Sequence, residues 1–112
     1  FLLAQMNRGV YNGTRILKDE TVGLMHTIQP PGNLYNNFQY GLGWMILKKP
    51  LRNTEYIGHS GDIPGAHTRM YFDPSDDTGI ICFFNSDRST IIKKVVSLVI
   101  QNLLFTQAEQ FS

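Results

Sequence analysis

Tyr56-Ile57-Gly58-His59-Ser60-Gly61-Asp62-Ile63-Pro64-Gly65 opens as a short apolar strand, predicted over 56–60, and breaks at a Pro-Gly pair. Two further segments of strand composition follow at 66–72 and 78–84, separated by Asp73-Pro74-Ser75-Asp76-Asp77. So short a polar turn makes those two segments antiparallel neighbours. Upstream, 40–47 is rich in aromatic and aliphatic residues, with Gly41 and Gly43 marking a bulge or a close backbone approach and Lys48-Lys49-Pro50 closing it. The reading is an antiparallel sheet of about four strands. The segment 78–84 is apolar at successive positions, which predicts a central strand covered on both faces.

Helical signals flank the sheet. Residues 1–8 read as the end of a helix, with Leu2, Leu3 and Met6 on one face and Gly9 at its stop. The pattern starts part-way through, so chain is expected ahead of Phe1. Asn12-Gly13 is a turn signal, and Asp19-Glu20 before Val22, Leu24 and Met25 starts a second short helix ending near His26. Residues 30–37, with Pro30, Pro31, Gly32 and several Asn, are too polar and too rich in breakers to predict regular structure. Asp87 or Ser89 can cap a final helix over about 90–105. Its stripe of Ile92, Val95, Val96, Val99 and Leu103 faces one side of the sheet, with Lys93, Lys94, Ser97 and Gln101 opposite. The expectation is a single α/β-type (α+β) layered domain over 1–112, with short helices and a loop in 1–39, the sheet in 40–85 and the C-terminal helix in 86–112.

Composition narrows the classes of function. A chain of 112 residues can bury roughly two-thirds of the surface its unfolded form exposes, enough for one modest core. Its 42% hydrophobic and 17% charged content is close to globular averages, which argues against a disordered or fibrous chain. The formal net charge is +1, and Lys48-Lys49 with Arg52 and Lys93-Lys94 are too scattered for the basic stripe that phosphate neutralisation needs, so no nucleic-acid partner is expected. Cys82, the one cysteine, reads as a small buried hydrophobe and has no partner for an internal disulfide, which leaves the redox compartment open. The longest apolar run, 80–84, is far short of the ~20 residues that span a bilayer. Any export signal would lie upstream.

The chemistry-bearing triplet is His59-Ser60-Gly61. It offers a titratable ring, a hydroxyl and a glycine that leaves the backbone approachable, a combination suited to an edge strand beside a bound acyl group. The plain alternative is a turn that happens to hold these residues. His59, Asp62 and His67 invite a zinc site, but no fourth ligand accompanies them and His67 lies beyond the Pro64-Gly65 turn. No metal is expected. His26 reads as structural at a helix end, and Trp44 as core.

Taken as a series, Gly41-Leu42-Gly43-Trp44, His59-Ser60-Gly61, Pro64-Gly65, Tyr71-Phe72-Asp73-Pro74, an apolar strand ending near Asn85 and an amphipathic C-terminal helix resemble the C-terminal portion of the serine β-lactamase-like hydrolases. That group contains class C β-lactamases, D-Ala-D-Ala carboxypeptidases, related esterases and D-aminopeptidases. The resemblance covers essentially the whole chain and implies a fragment of the β-lactamase/transpeptidase-like fold. In the family, Ser-x-x-Lys supplies the nucleophile, Tyr-x-Asn a second base candidate, and Lys/His-Thr/Ser-Gly lines the cleft from a strand. Only the third motif is found here. Ser60, Ser75, Ser86, Ser89, Ser97 and Ser112 each lack a lysine three residues on, and Tyr35-Asn36-Asn37 lies in the Pro/Asn-rich loop rather than far upstream.

The resemblance therefore implies no catalytic residue within this chain and a substrate-binding role for His59, Ser60 and Gly61, with an oxyanion donor from 62–65. It implies a small-molecule or peptide substrate (a β-lactam, a D-amino-acid peptide or a carboxylic ester), an acyl-serine intermediate, no cofactor and a periplasmic or extracellular location. His in place of Lys resembles the peptidases and esterases more than most β-lactamases. The missing N-terminal part of the chain is the expected partner, and the isolated chain is expected to be inactive and to form a homo-oligomer. Two alternatives stay open, a non-catalytic substrate-binding or interaction module and a penicillin-binding protein of low turnover.

Overall fold

The structure is a computed structural model that describes residues 1–31, 33–35, 38–48, 55–85, 99–107 and 110. Helix α1 (Leu2–Met6) leads into a two-stranded hairpin, β1 (Val10–Tyr11) and β2 (Thr14–Arg15), which turns at Asn12-Gly13. Helix α2 (Asp19–Met25) follows, with Asp19 and Glu20 in its first turn, where carboxylates oppose the positive end of the helix dipole. The chain then runs as a meander, β3 (Asn33–Tyr35), β4 (Phe38–Tyr40), β5 (Met45–Lys48), β6 (Glu55–Ile63), β7 (Ala66–Asp73) and β8 (Thr78–Phe84). These six strands form one antiparallel sheet in sequence order. Residues 99–107 are helical.

The sheet departs from the sequence reading in three places. Asn33–Tyr35 is a strand although its neighbourhood is polar, because pairing with β4 satisfies backbone groups whatever the side chains are. The single strand expected over 40–47 is two strands, β4 and β5, broken at Gly41–Trp44. There Gly41 N–H donates to Trp44 O (2.8 Å) and Leu42 N–H to Met25 O (2.9 Å). A Cβ on Gly41 would stand 2.1 Å from Met25 O, so only glycine lets the loop lie against the end of α2. Third, β8 is the last strand of the sheet rather than a central one, and its burial alternates: Thr78, Ile80 and Cys82 are buried while Ile81 is 51% and Phe83 80% exposed. A run of apolar residues does not distinguish a strand wrapped on both faces from one with an uncovered apolar face.

Strand alternation sorts the core onto two faces. One face packs Ile57 and Phe72 with Leu2 and Trp44, joined by Met6, Met25 and Met70 from the half-buried shell. The N-terminal helices thus cover part of the face for which the sequence offers little other cover. Leu3 does not take part, at 56% exposed. In so short a helix the inward side is taken by Leu2, Ala4 and Gln5, with Met6 half-buried beside them, and Leu3 lies off it. The opposite face packs Tyr71, Ile80 and Cys82 against Phe105 of the C-terminal helix, with Tyr56 stacked on Phe105 at 4.3 Å. That helix presents a different side from the one expected. Gln101 and Phe105, one turn apart, are buried, whereas Val99 and Leu103 are exposed. Polar Gln101 turns inward because it meets a buried arginine, Arg69. Ile92 to Ser97 and both proposed caps lie outside the described residues.

The turn between β7 and β8 follows its sequence. Asp73 Oδ1 accepts from Ser75 N–H (2.9 Å) and Ser75 Oγ–H (2.6 Å), and Asp76 Oδ1 accepts from Thr78 N–H (3.0 Å). Aspartates bonding the backbone two residues on are what give this loop its shape.

Two expected outcomes follow. His26 lies edge-on to Trp44 (4.9 Å) and against Phe72 (5.3 Å), and burial lowers its pKa. A base whose folded pKa is depressed leaves the unfolded state holding more protons, so this stability is complete above about pH 6.5 and is lost as the pH falls below it. Urea midpoints between about pH 7.5 and 5.5 should drop for the wild type and drop less for His26→Leu. A terminal strand with neither charge nor proline, carrying exposed Ile81 and Phe83, favours association. Light scattering behind size exclusion should therefore show the isolated chain as a dimer or larger, and Phe83→Lys should shift it towards monomer.

Candidate functional site

The sheet gives His59-Ser60-Gly61 an unusual edge. Pairing between β5 and β6 runs from Lys48↔Glu55 to Met45↔Gly58 and stops there, whereas β6 and β7 stay paired from Ile57↔Phe72 to Ile63↔Ala66. Among the described residues, β6 therefore has a ladder partner on one side only from His59 to Ile63. A strand paired on one side is the geometry by which sheets accept added strands.

The two glycines of β6 have different causes. At Gly58 a Cβ would come within 2.3 Å of the Tyr71 ring and 2.1 Å of Met70 O, so internal packing demands glycine. At Gly61 a Cβ would meet only Thr68 Oγ1, at 3.0 Å. At Gly61 the tight neighbour is thus the end of one side chain on β7 rather than backbone or core.

His59 and Ser60 have different surroundings, as alternation along a strand requires. The His59 ring is half-buried, its Nε2 in a hydrogen bond with the Tyr40 hydroxyl and its plane at 90° to the Tyr40 ring. The Ser60 hydroxyl lies 4.0 Å from Met45 Sδ, and Tyr71 O–H donates to the same sulfur at 3.4 Å. Burial raises the Tyr71 pKa, opposed by a hydrogen bond with Ser60 and the charge of Arg69. Ser60 stands directly across the ladder from Arg69, whose Nη1 donates to Gln101 Oε1 (3.0 Å) and whose Nε is buried with no partner among the described residues. Arg69 is 8% exposed, so the sheet holds a guanidinium against its C-terminal helix one strand away from the motif.

Asp62 and His67 are cross-strand partners, and Asp62 Oδ1 accepts from His67 Nδ1–H. The His67 ring stacks on Phe84 at 5.7 Å, and its Nε2 is buried with no partner among the described residues. Of the three side chains that invite a zinc reading, the structure brings Asp62 and His67 together and sets His59 with Tyr40. Among the described residues no three His, Cys, Asp or Glu side chains group as a metal site. Tyr35 ends β3, and Asn36 and Asn37 lie outside the described residues. Trp44 is core at 3% exposed, and Cys82 is a buried free thiol with its pKa raised by burial. Among the described residues no helix is long and apolar enough to cross a membrane.

Sequence reasoning missed Tyr40 and Arg69. Tyr40 directly precedes the Gly41-Leu42-Gly43-Trp44 run and was visible only as a strand residue. Arg69 sat in an apolar strand, where an isolated charge predicts a buried partner.

The sequence pattern of the Beta-lactamase family matches residues 2–94, most of the chain and all of β1 to β8. The chain belongs to that family. It is also similar to the crystal structure of a D-stereospecific amidohydrolase from Streptomyces sp., at a TM-score of 0.60 and 27% identity over 83% of this chain. The chain spans about 25% of that protein's length. No curated protein matches the chain. A β-lactamase-like α+β sheet with its C-terminal helix is thus the fold on which the His59 edge is built.

The buried Arg69–Gln101 pair gives a direct test of the packing behind the motif. Gln101→Leu removes the acceptor and leaves a buried cation, which should destabilise by about 2–3 kcal/mol. Arg69→Met with Gln101→Leu should recover most of that loss. Urea unfolding of the two single variants and the double one measures the coupling.

Proposed function

We propose that this chain is the cleft-lining part of a serine hydrolase that cleaves amide or ester bonds through an acyl-serine intermediate. The nucleophile would come from sequence ahead of Phe1, and the 112-residue chain alone would not turn over substrate. One observation carries the reading: the stretch His59–Ser60–Gly61 lies where β6 runs on past its β5 partner and, among the described residues, pairs only with β7. The membership of the Beta-lactamase family and the likeness to a D-stereospecific amidohydrolase support it, and they favour a D-configured amide as substrate.

In this scheme the extended acyl part of the substrate lies antiparallel to the free edge, where Gly61 admits its backbone and His59 offers a polar contact. The upstream serine Oγ attacks the carbonyl carbon, and its proton passes to a neighbouring base and then to the departing amine or alcohol. Backbone N–H groups near Asp62 to Gly65 stabilise the tetrahedral oxyanion, charge that exists only in the transition state. Water then cleaves the acyl ester by the reverse route.

The test uses the full gene product and the 112-residue chain side by side, with D-amino-acid p-nitroanilides, p-nitrophenyl esters and a chromogenic cephalosporin. The full protein should turn over at least one of them and be labelled by a fluorophosphonate at an upstream serine. His59→Ala should lower kcat/KM by roughly tenfold to a thousandfold with circular dichroism unchanged. The short chain should match a heat-killed control. Phosphonate-sensitive turnover by the short chain, or unchanged kinetics in His59→Ala, would overturn the assignment.

A further inference from the structure

His59 is the imidazole at the edge of β6, and which of its nitrogens carries the proton decides what it can offer a ligand. A neutral imidazole has one N–H and one lone pair, and the hydrogen bond made by one nitrogen fixes the state of the other. Here Nε2 is engaged by the Tyr40 hydroxyl. Nδ1 has no hydrogen-bond partner among the described residues.

We propose that Tyr40 is a positioning residue that locks His59 in the Nδ1–H tautomer, so that the ring presents a neutral N–H donor at the open edge of β6. The inference rests on the reading of that edge as a substrate cleft. Two observations carry the direction of the bond. An imidazole nitrogen is a far better acceptor than a phenol oxygen, and a phenol is a good donor, so the pair settles as O–H···N. The rings meet at 90° with centroids 5.8 Å apart, an edge-on arrangement in which a hydroxyl can reach the in-plane lone pair of Nε2.

Tyr40 is itself held in place. Its carbonyl accepts from Gln29 N–H (2.8 Å), it pairs with Met45 across the β4–β5 ladder, and the following Gly41–Trp44 loop is bonded to the end of α2. The hydroxyl therefore approaches His59 from a backbone fixed at three points. A neutral N–H donor in this place favours a ligand carbonyl or carboxylate oxygen through a directed hydrogen bond rather than through the field of a permanent cation.

The tautomer can be read without substrate. Long-range 1H–15N spectra of the 15N-labelled 112-residue chain at about pH 8, where unperturbed imidazoles are neutral, separate pyrrole-like from pyridine-like nitrogens. The His59 signals are assigned by their loss in His59→Gln. Wild type should show a protonated Nδ1 and a bare Nε2 at His59. Tyr40→Phe keeps the ring and removes the hydroxyl, and it should move His59 towards a mixture with the Nε2–H form while the His26 and His67 signals stay in place. A protonated Nε2 in the wild type, or a His59 pattern unchanged in Tyr40→Phe, would overturn the proposal. If Tyr40→Phe does not fold, the wild-type spectrum alone still decides it. Because the spectrum reads the ring whether or not anything is hydrolysed, an Nδ1–H tautomer in an inactive full-length protein would sink the hydrolase reading and leave this one standing.

Discussion

The antiparallel ladder between β6 and β7 is the constraint on which the rest of the molecule depends. Seven residue pairs, from Ile57↔Phe72 to Ile63↔Ala66, set which side chains share a face, and a slip of one residue would exchange the two cores. In the observed register Ile57 and Phe72 meet Leu2 and Trp44 on one side, and Tyr71 meets Ile80 and Phe105 on the other. Gly58 belongs to the same device. The Tyr71 ring occupies the space a side chain there would need, so the glycine and the tyrosine lock the register together.

The same ladder makes the candidate site. β6 is longer than the part of it that β5 covers, and the excess is His59 to Ile63. Among the described residues that excess is paired with β7 alone, so one ladder fixes its shape. Pairing with β7 also dictates that neighbouring motif residues look in different directions. His59 meets Tyr40, whereas Ser60 meets Met45 and stands beside Arg69. Behind the motif, Arg69 with Gln101 is a desolvated pair that loses more by breaking than it gains by forming. It ties β7 to the C-terminal helix.

The outer side of the sheet tells a complementary story. α1 and α2 cover the part of one face around Ile57 and Phe72, but Ile81 and Phe83 on β8 remain exposed on that face. An apolar surface of this kind beside a strand edge is unfavourable in water, and its burial against further protein would release structured solvent at roughly 25 cal/mol per Å2.

Local sequence determined the parts that depend on near neighbours. Asn12-Gly13 turned a hairpin, Asp19-Glu20 opened α2, the Asp73–Asp77 turn joined β7 to β8, and the ordered series of motifs carried the family resemblance. Tertiary structure decided what depends on distant ones. It made a strand of Asn33–Tyr35 through its partner β4, split 40–47 where Gly41 touches Met25, and put β8 at the end of the sheet. It turned Gln101 inward because Arg69, 32 residues earlier, lay beneath it. It also joined Tyr40 to His59 across 19 residues of chain. Periodicity and turn chemistry are written in a few consecutive residues, but the choice of a side chain's partner is made only when the sheet brings separate strands side by side.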